Sequence, residues 1–343
     1  MRILLVTPSF FGYEEVITEA FRAKGVEVDL VDERPYNSAL LRAVLRVAPS
    51  LLTHQLRRYY RAVIERTKAI PYDGLLVVKG EVVPEWFIGE FRDVHPDCRC
   101  VFYTFDAITN SSHCLQLLGY FEKTYSFDPV DVAAHAGLEY KPLFYSDEYH
   151  SSDQPRDLDL AFVGTVHGVR YAFTQRIAQA ASSPTRTFLH YYVPSAWFYW
   201  GSRAVDRAFW RVPRSAVTTR RMGRSEVAAV TRRSRAVIDV QRPRQAGLTM
   251  RTFEVLASGA ALITANRHIQ REPFYDAASI LVVPAEPEAI DVDEVRKFLA
   301  ALPSVPQVPS HFDSYSVRAW VSDFIRDFSG ASDAGLSRQE RGR

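Results

Sequence analysis

The 343-residue sequence is poor in cysteine: Cys98, Cys100 and Cys114 are the only three, and their spacing fits neither a zinc site nor a disulfide framework. It has no apolar run of about 18 residues, so it predicts no membrane-spanning helix. The opening residues, MRILLVTPSFFGYEE, have no basic leader and no small-residue cleavage site, and they favour a buried strand. We therefore expect a reduced, cytoplasmic setting.

Lysine is also scarce, with 6 residues among the 42 that are basic, and the formal net charge is only +2. The charge is unevenly spread, because twelve arginines lie between Arg203 and Arg244 against three acidic residues. A chain of this length exceeds a comfortable single core, so it predicts two domains. The 47% of hydrophobic residues is enough to give each domain a large core.

Apolar runs alternate with amphipathic stretches along residues 1–145, which predicts a doubly wound α/β domain. The predicted strands are 2–7, 26–31, 75–78, 101–103 and 124–127, and the predicted helices are 13–24, 40–70 and 85–94.

The polar segment 146–157 has no apolar period and is predicted to be an interdomain linker. A second α/β series over 158–316 has predicted strands at 158–163, 187–190, 236–240, 261–264 and 280–283, with helices at 171–181 and 291–302. A last helix, 317–328, could pack back on the first domain. The polar tail, 330–343, is predicted to be disordered.

The sequence GLTMRTFEVLASGAALIT, residues 247–264, indicates a turn, a helix and a buried strand around an anion. Gly247 permits the turn and Thr249 can cap the helix. Arg251 lies in the first turn, where its positive charge is unfavourable beside the positive end of the helix dipole unless an anion binds there. Glu254, one turn later, could accept hydrogen bonds from ribose hydroxyls. The pattern predicts a nucleoside diphosphate site, with a surface ion pair between Arg251 and Glu254 as the alternative.

A second candidate for the donor site is GTVHGVR, residues 164–170, between a predicted strand and a predicted helix. Gly164, Thr165, His167 and Arg170 could form a diphosphate cradle, although the pattern is neither a GxGxxG nor a Walker loop. The alternative is a glycine-rich turn with His167 and Arg170 on the surface.

Candidates for an acceptor site follow strands of the first domain, where open α/β sheets bind ligands. Asp106 and His113 could each act as the base for a sugar hydroxyl, although Asp106 could also cap a helix. Gly12 and Lys79 are candidates on the acceptor side. Lys79 precedes Glu81 by two residues, and a lysine at this position often only extends its charge to solvent.

The aromatic and arginine-rich segment 191–235 suits contact with an anionic membrane, and Arg42, Arg46, Arg57, Arg58 and Arg61 offer a second such surface. An aromatic core with solvated arginines is the alternative. Nucleic acid is disfavoured as a partner, because the basic residues are confined to these segments. Asp157 and Asp159 have a metal-binding spacing but precede a strand instead of following one, so no metal site is predicted.

Four strings together resemble the CgeB-like glycosyltransferases of bacterial surface polysaccharide and lipopolysaccharide clusters. They are VVKG (77–80), YTFDAI (103–108), FEKTYSFDPVD (121–131) and DVQRPRQAGLTMRTFEVLASGAALIT (239–264). The resemblance implies the GT-B fold, with two Rossmann-like domains facing a cleft, and it implies transfer that needs no bound metal or other cofactor. It places Glu254 at the ribose of a nucleotide sugar. Ala246 stands where many retaining members have a second acid, so retention is not implied.

These observations together lead us to expect a glycosyltransferase at the inner face of the membrane. It would move a sugar from a nucleoside diphosphate sugar to a lipid-linked or oligosaccharide acceptor. A nucleotide-sugar epimerase of the same fold and a non-catalytic surface or coat assembly protein are the alternatives.

Overall fold

A parallel sheet of six strands lies at the centre of each of the two units of the computed structural model. The first unit consists of residues 1–142 and 317–343, and the second of residues 143–316. The structure describes residues 1–9, 12–34, 53–110, 112–151, 156–181, 183–241, 245–303 and 305–330.

The first sheet has the order β2-β1-β3-β4-β5-β6. Its strands are β1 (Arg2–Thr7), β2 (Glu27–Asp32), β3 (Gly74–Val78), β4 (Arg99–Thr104), β5 (Lys123–Ser126) and β6 (Leu138–Tyr140). The helices are α1 (Tyr13–Ala23), α2 (Thr53–Thr67), α3 (Glu85–Val94), α4 (Cys114–Leu117) and α5 (Pro129–Ala134). The predicted α/β alternation is confirmed for the described residues, and residues 40–52 of the predicted helix 40–70 lie outside them.

The last helix, α11 (Val317–Ser329), belongs to this first unit. Trp320 and Phe324 pack edge-on against Tyr103 of β4, with ring centroids 5.0 Å and 6.2 Å away. The Lys141 amine lies 4.9 Å from the Phe324 ring and pairs with Asp323 of the same helix. An apolar face and one buried cation therefore hold α11 on the sheet.

The second sheet has the order β12-β11-β10-β7-β8-β9, again with every pair parallel. Its strands are β7 (Leu158–Thr165), β8 (Thr187–Tyr192), β9 (Val217–Thr218), β10 (Ser234–Asp239), β11 (Ala261–Thr264) and β12 (Ile280–Val282). The helices are α6 (Gly168–Ala178), α7 (Ala196–Val205), α8 (Arg224–Arg233), α9 (Met250–Ala257) and α10 (Val292–Ala301).

Part of the predicted linker is packed structure instead. Residues Asp147–Tyr149 form a 3-10 helix of the second unit, and Tyr149 is 2% exposed. The Arg224 guanidinium donates two hydrogen bonds to the Glu148 carboxylate, at 3.0 Å and 3.1 Å. A single buried tyrosine among polar residues gives no periodic signal, which is why the sequence indicated a linker. Residues 152–155 of that segment and 331–343 of the predicted tail lie outside the described residues.

The aromatic segment 191–235 is divided between core and surface. Tyr199 of α7 and Phe209 are buried, whereas the apolar side chains of Trp197, Phe198, Trp200, Val205 and Trp210 are exposed. In the other basic stretch, Arg57, Arg58 and Arg61 lie on the exposed side of α2, and Arg42 and Arg46 lie outside the described residues. Among the helices that the structure describes, none is both long and apolar enough to cross a bilayer.

Candidate functional site

Each sheet has a point at which the chain changes the direction in which it adds strands. In the second sheet, β8 and β9 follow on one side of β7, and β10, β11 and β12 follow on the other. The switch therefore lies between β7 and β10. Ligands of open α/β sheets bind beyond the carboxyl ends of strands at such a switch. Both predicted donor loops begin there, after Thr165 and after Asp239.

Arg170 ties these two loops together. Its guanidinium donates to the Thr165 carbonyl at 2.6 Å and to the Val240 carbonyl at 2.8 Å. Gly164 and Thr165 are the last two residues of β7, and His167 is the N-cap of α6, with Nδ1 accepting from the Arg170 amide at 3.4 Å. The predicted cradle residues are thus adjacent, and Arg170 also positions the backbone.

Asp239, at the end of β10, holds the end of the second loop and the first turn of α9 in place. Its Oδ2 accepts a hydrogen bond from the Thr249 hydroxyl at 2.6 Å and from the Thr252 hydroxyl at 3.3 Å. Burial raises the pKa of Asp239, while the Thr249 hydrogen bond and the charges of Arg251 and Arg170 act in the opposite direction. Sequence reasoning missed this residue, although its position at a strand end followed by threonines was an available signal.

Thr249 occupies the predicted N-cap position of α9, but its hydroxyl binds Asp239 and makes no cap hydrogen bond. The turn before it is fixed by Asn266, which follows β11. The Asn266 side-chain amide donates to the carbonyls of Ala246 and Gly247, at 3.0 Å and 3.4 Å. The turn at Gly247 is therefore held by side chains from two neighbouring strand ends.

Arg251 and Glu254 form the expected i,i+3 pair, with Nε and Oε2 3.8 Å apart. The pair differs from a solvated surface pair, because Glu254 is only 2% exposed. Tyr149 lies beside it, hydrogen-bonded to the Glu254 carboxylate, and burial raises the pKa of Tyr149. The Glu254 carboxylate is thus enclosed by Arg251 and Tyr149.

The predicted bases of the first unit both make hydrogen bonds to loops at the carboxyl edge of the sheet. Asp106 Oδ1 accepts from the Ala107 amide at 3.1 Å and from the Asn110 side chain at 2.9 Å, beside the 3-10 helix Ile108–Asn110. His113 Nε2 lies 2.9 Å from the Val83 carbonyl, so this nitrogen carries the proton and donates. Both residues therefore have a structural role in the loops after β3 and β4.

Gly12 and Lys79 lie at the switch point of the first sheet, between β1 and β3. Gly12 is left-handed, with φ of 76°, and immediately precedes α1. Phe10 and Phe11, before it, lie outside the described residues. The Lys79 amine is 2.9 Å from Glu81 Oε2. Sequence reasoning missed Glu33, a fully buried acid directly after β2, whose Oε2 accepts from the Glu81 amide at 3.1 Å.

Within the part of the chain that the structure describes, no three His, Cys, Asp or Glu side chains are grouped so that they could hold a metal ion. Asp159 instead pairs with Arg186 and Arg235, and Asp157 pairs with Arg233. The three cysteines are buried and free of disulfides, as expected for structural thiols.

Solved structures share this fold at low sequence identity. HepE from Anabaena, in complex with UDP and glucose, aligns over 96% of this chain and 100% of its own, with 10% identity and a TM-score of 0.62. Sucrose-phosphate synthase from Thermosynechococcus elongatus aligns over 97% and 100%, with 12% identity and a TM-score of 0.65. A glycosyltransferase from Rickettsia africae aligns over 96% and 99%, with 10% identity and a TM-score of 0.59.

Sequence comparison adds one local match. Residues 170–303, which include Arg170, Asp239, Arg251 and Glu254, match the model of a family described as glycosyl transferase-like. No curated protein sequence matches the chain. The chain has the GT-B fold, and the segment that carries its candidate donor site is similar to glycosyl transferase-like proteins.

Proposed function

We propose that the protein is a glycosyltransferase that moves a sugar from a nucleoside diphosphate sugar to a lipid-linked or oligosaccharide acceptor. The observation that carries the proposal is the arrangement at the switch point of the second sheet, where Arg170 joins the two loops and Asp239 holds the second one. Both residues lie within the segment that matches the glycosyl transferase-like model. The resemblance to CgeB-like proteins makes surface polysaccharide or lipopolysaccharide the pathway that we propose.

The positive charge at the carboxyl ends of the strands in the second sheet suits a departing diphosphate. Arg170 and Arg251 supply two cations, and the N-terminus of α9 adds the positive end of its dipole. Preorganised positive groups that face developing negative charge are a major source of rate enhancement. We therefore assign the stabilisation of the leaving diphosphate to these groups, with no metal or other cofactor, and the binding of the ribose to Glu254.

The Glu254→Ala variant tests the donor site. We expect its Kd for UDP, measured by calorimetry with and without Mg²⁺, to rise at least tenfold, or about 1.4 kcal/mol, because the ribose hydroxyls lose their acceptor. UDP is the first probe because HepE is solved with it, and GDP, CDP and dTDP follow.

Tyr149→Phe is the matched control, since it removes the hydroxyl that now contacts Glu254. If Glu254 binds ribose, this variant should keep or improve the affinity. If Glu254 serves only to hold Tyr149, both variants should weaken binding equally, and the proposed role of Glu254 is wrong.

A nucleotide sugar whose sugar is altered without any acceptor would favour the epimerase. A wild type that binds none of these nucleotides would favour the non-catalytic assembly protein.

We also propose that α7 and the 3-10 helix Arg207–Arg211 contact an anionic membrane at its inner face. Trp197 is 87% exposed and Trp200 56%, one turn apart on α7, while Tyr199 points to the core. Arg207, Arg211 and Arg214 are exposed nearby. Tryptophan with arginine is the combination that suits an anionic lipid interface.

For the membrane surface, the double variant Trp197→Ala/Trp200→Ala should bind phosphatidylglycerol vesicles at least tenfold less in flotation assays, with UDP affinity unchanged. Val130→Ala, an exposed apolar residue of the first unit, is the control and should float like the wild type. Equal binding of the wild type to phosphatidylcholine and phosphatidylglycerol vesicles would contradict the contribution of charge.

A further inference from the structure

The turn after β3 is strained at a residue that is not glycine. Lys79 has φ of 78°, followed by Gly80 at 66°, and only His311 is a second such non-glycine residue in the described part of the chain. A side chain in this left-handed region costs about 1–2 kcal/mol, which glycine avoids. Residues strained in this way cluster at functional sites.

The turn is held in this conformation by its neighbours. The Lys79 amide donates to the Tyr103 carbonyl at 2.8 Å, and Gly80 lies so close to the Phe102 ring that a Cβ there would be 2.7 Å from it. The Glu81 amide donates to Glu33 Oε2 at 3.1 Å. Contacts from β4 and from the residue after β2 thus fix the backbone that carries the side chains of Lys79 and Glu81.

Glu33 adds a second unfavourable feature at the same place. Its side chain is 0% exposed, and its Oε1 has no hydrogen-bond partner among the described residues. Leaving a buried polar atom without a partner costs about 1–3 kcal/mol. The fold therefore bears strain at Lys79 and an unsatisfied carboxyl oxygen at Glu33, both at the switch point of the first sheet, where ligands of such sheets bind.

Glu81 and Lys79 are the accessible members of this cluster. Their side chains are 23% and 16% exposed, and the ammonium lies 2.9 Å from the Glu81 carboxylate. The neighbouring positive charge favours the ionised carboxylate. Glu81 Oε2 is buried beside the ammonium, so the other oxygen of the carboxylate is the one that can accept a hydrogen bond, and then a proton, from a sugar hydroxyl. Asp106 already holds its own loop, and His113 already donates to Val83 of the loop after β3.

We propose that Glu81 is the base that deprotonates the acceptor hydroxyl, and that Lys79 and Glu33 are its positioning residues. This inference rests on the proposed glycosyl transfer. The hydroxyl proton moves to a Glu81 oxygen as the acceptor oxygen bonds to the anomeric carbon of the donor sugar. The bond from that carbon to the diphosphate oxygen breaks, its electron pair leaves with the diphosphate, and Glu81 then releases the proton to water.

The Lys79→Gly variant distinguishes a positioning role of Lys79 in transfer from a purely structural role. Glycine relieves the strained φ, so we expect the thermal midpoint to rise by about 2–4 °C per kcal/mol gained. Transfer should nevertheless fall at least tenfold in kcat, and the acid limb of the pH–rate profile should move to higher pH, because no ammonium stabilises the Glu81 carboxylate. A residue with a purely structural role would not move that limb.

The Glu81→Gln variant should lose about 10²- to 10⁴-fold in kcat, the usual contribution of a general base, with an unchanged Kd for UDP and an unchanged melting temperature. Glu90→Gln, an exposed acid on α3, should transfer like the wild type. A Glu81→Gln variant that transfers within threefold of an active wild type would overturn the inference alone. A wild type that transfers no sugar and binds no nucleotide would overturn the proposed function and this inference together.

Discussion

Gly168→Ala is expected to destabilise the second unit by about 3 kcal/mol, the upper part of the range for overpacking a close contact. A Cβ at position 168 would be 2.1 Å from the backbone carbon of Ala208 and 2.3 Å from its carbonyl oxygen. Neither of these is the flexible end of a side chain, so α6 and the 3-10 helix Arg207–Arg211 must move apart. The thermal midpoint should fall by about 2–4 °C per kcal/mol.

The same movement should weaken nucleotide binding. Gly168 is the first residue of α6, and Arg170 in its first turn joins the two donor loops through the Thr165 and Val240 carbonyls. Displacing α6 lengthens one or both of these hydrogen bonds. We therefore expect Gly168→Ala to raise the Kd for UDP even at a temperature where the variant is folded.

Gly201→Ala is the matched control for this substitution. Gly201 lies inside α7, and a Cβ there would meet no heavy atom within 4 Å. Alanine is better than glycine in a helix interior by about 1 kcal/mol, so this variant should be slightly more stable than the wild type. If the two alanine variants have the same melting temperature, the backbone of Ala208 does not lie close enough to Gly168 to exclude a Cβ there.

The positions of most strands and the loops that follow them could be predicted from local features of the sequence. Strands that are covered on both faces appear as uninterrupted apolar runs, as in residues 2–7 and 261–264, and their ends identify the loops to examine. The 247–254 pattern was informative because Thr249, Arg251 and Glu254 are close in sequence as well as in space. Their assignment to a nucleotide stays a prediction.

Contacts between distant residues could not be predicted in this way. Tyr149 reaches Glu254 across more than a hundred residues, so a segment with a single apolar side chain was interpreted as a linker. Glu33 looks like an ordinary acid after a strand, because its burial depends on what packs over it. The same limit applies to Gly168, whose neighbour Ala208 is forty residues away.

The free energy of unfolding should depend strongly on pH because of the buried Glu33. Burial raises the pKa of Glu33 from 4.5 to about 8, with Glu81 adding to the shift and Lys79 and Arg34 opposing it. The folded protein therefore keeps a proton on Glu33 that the unfolded chain releases. Since the folded state binds more protons between these two pKa values, the free energy of unfolding should fall as pH rises through this window.

Glu33→Gln should remove this dependence. Relative to the variant, the wild type should lose stability by about 1.4 kcal/mol per pH unit between pH 5 and pH 8, because one proton is released on unfolding. Below about pH 4.5 the carboxyl is neutral in both states, and the difference should be constant. Any change in stability that comes from the glutamine amide itself does not depend on pH. It therefore leaves the slope of the stability difference against pH unchanged.

The measurement is the thermal midpoint of both proteins from pH 4 to pH 9. Titrations of groups that do not interact with Glu33 are shared by the two proteins and cancel in the difference. Glu90→Gln, at an exposed acid of α3, is the control, and its difference from the wild type should stay flat. A flat difference for Glu33→Gln as well would show that Glu33 ionises as freely in the fold as in water, and that its carboxyl is not enclosed behind the Lys79–Glu81 turn.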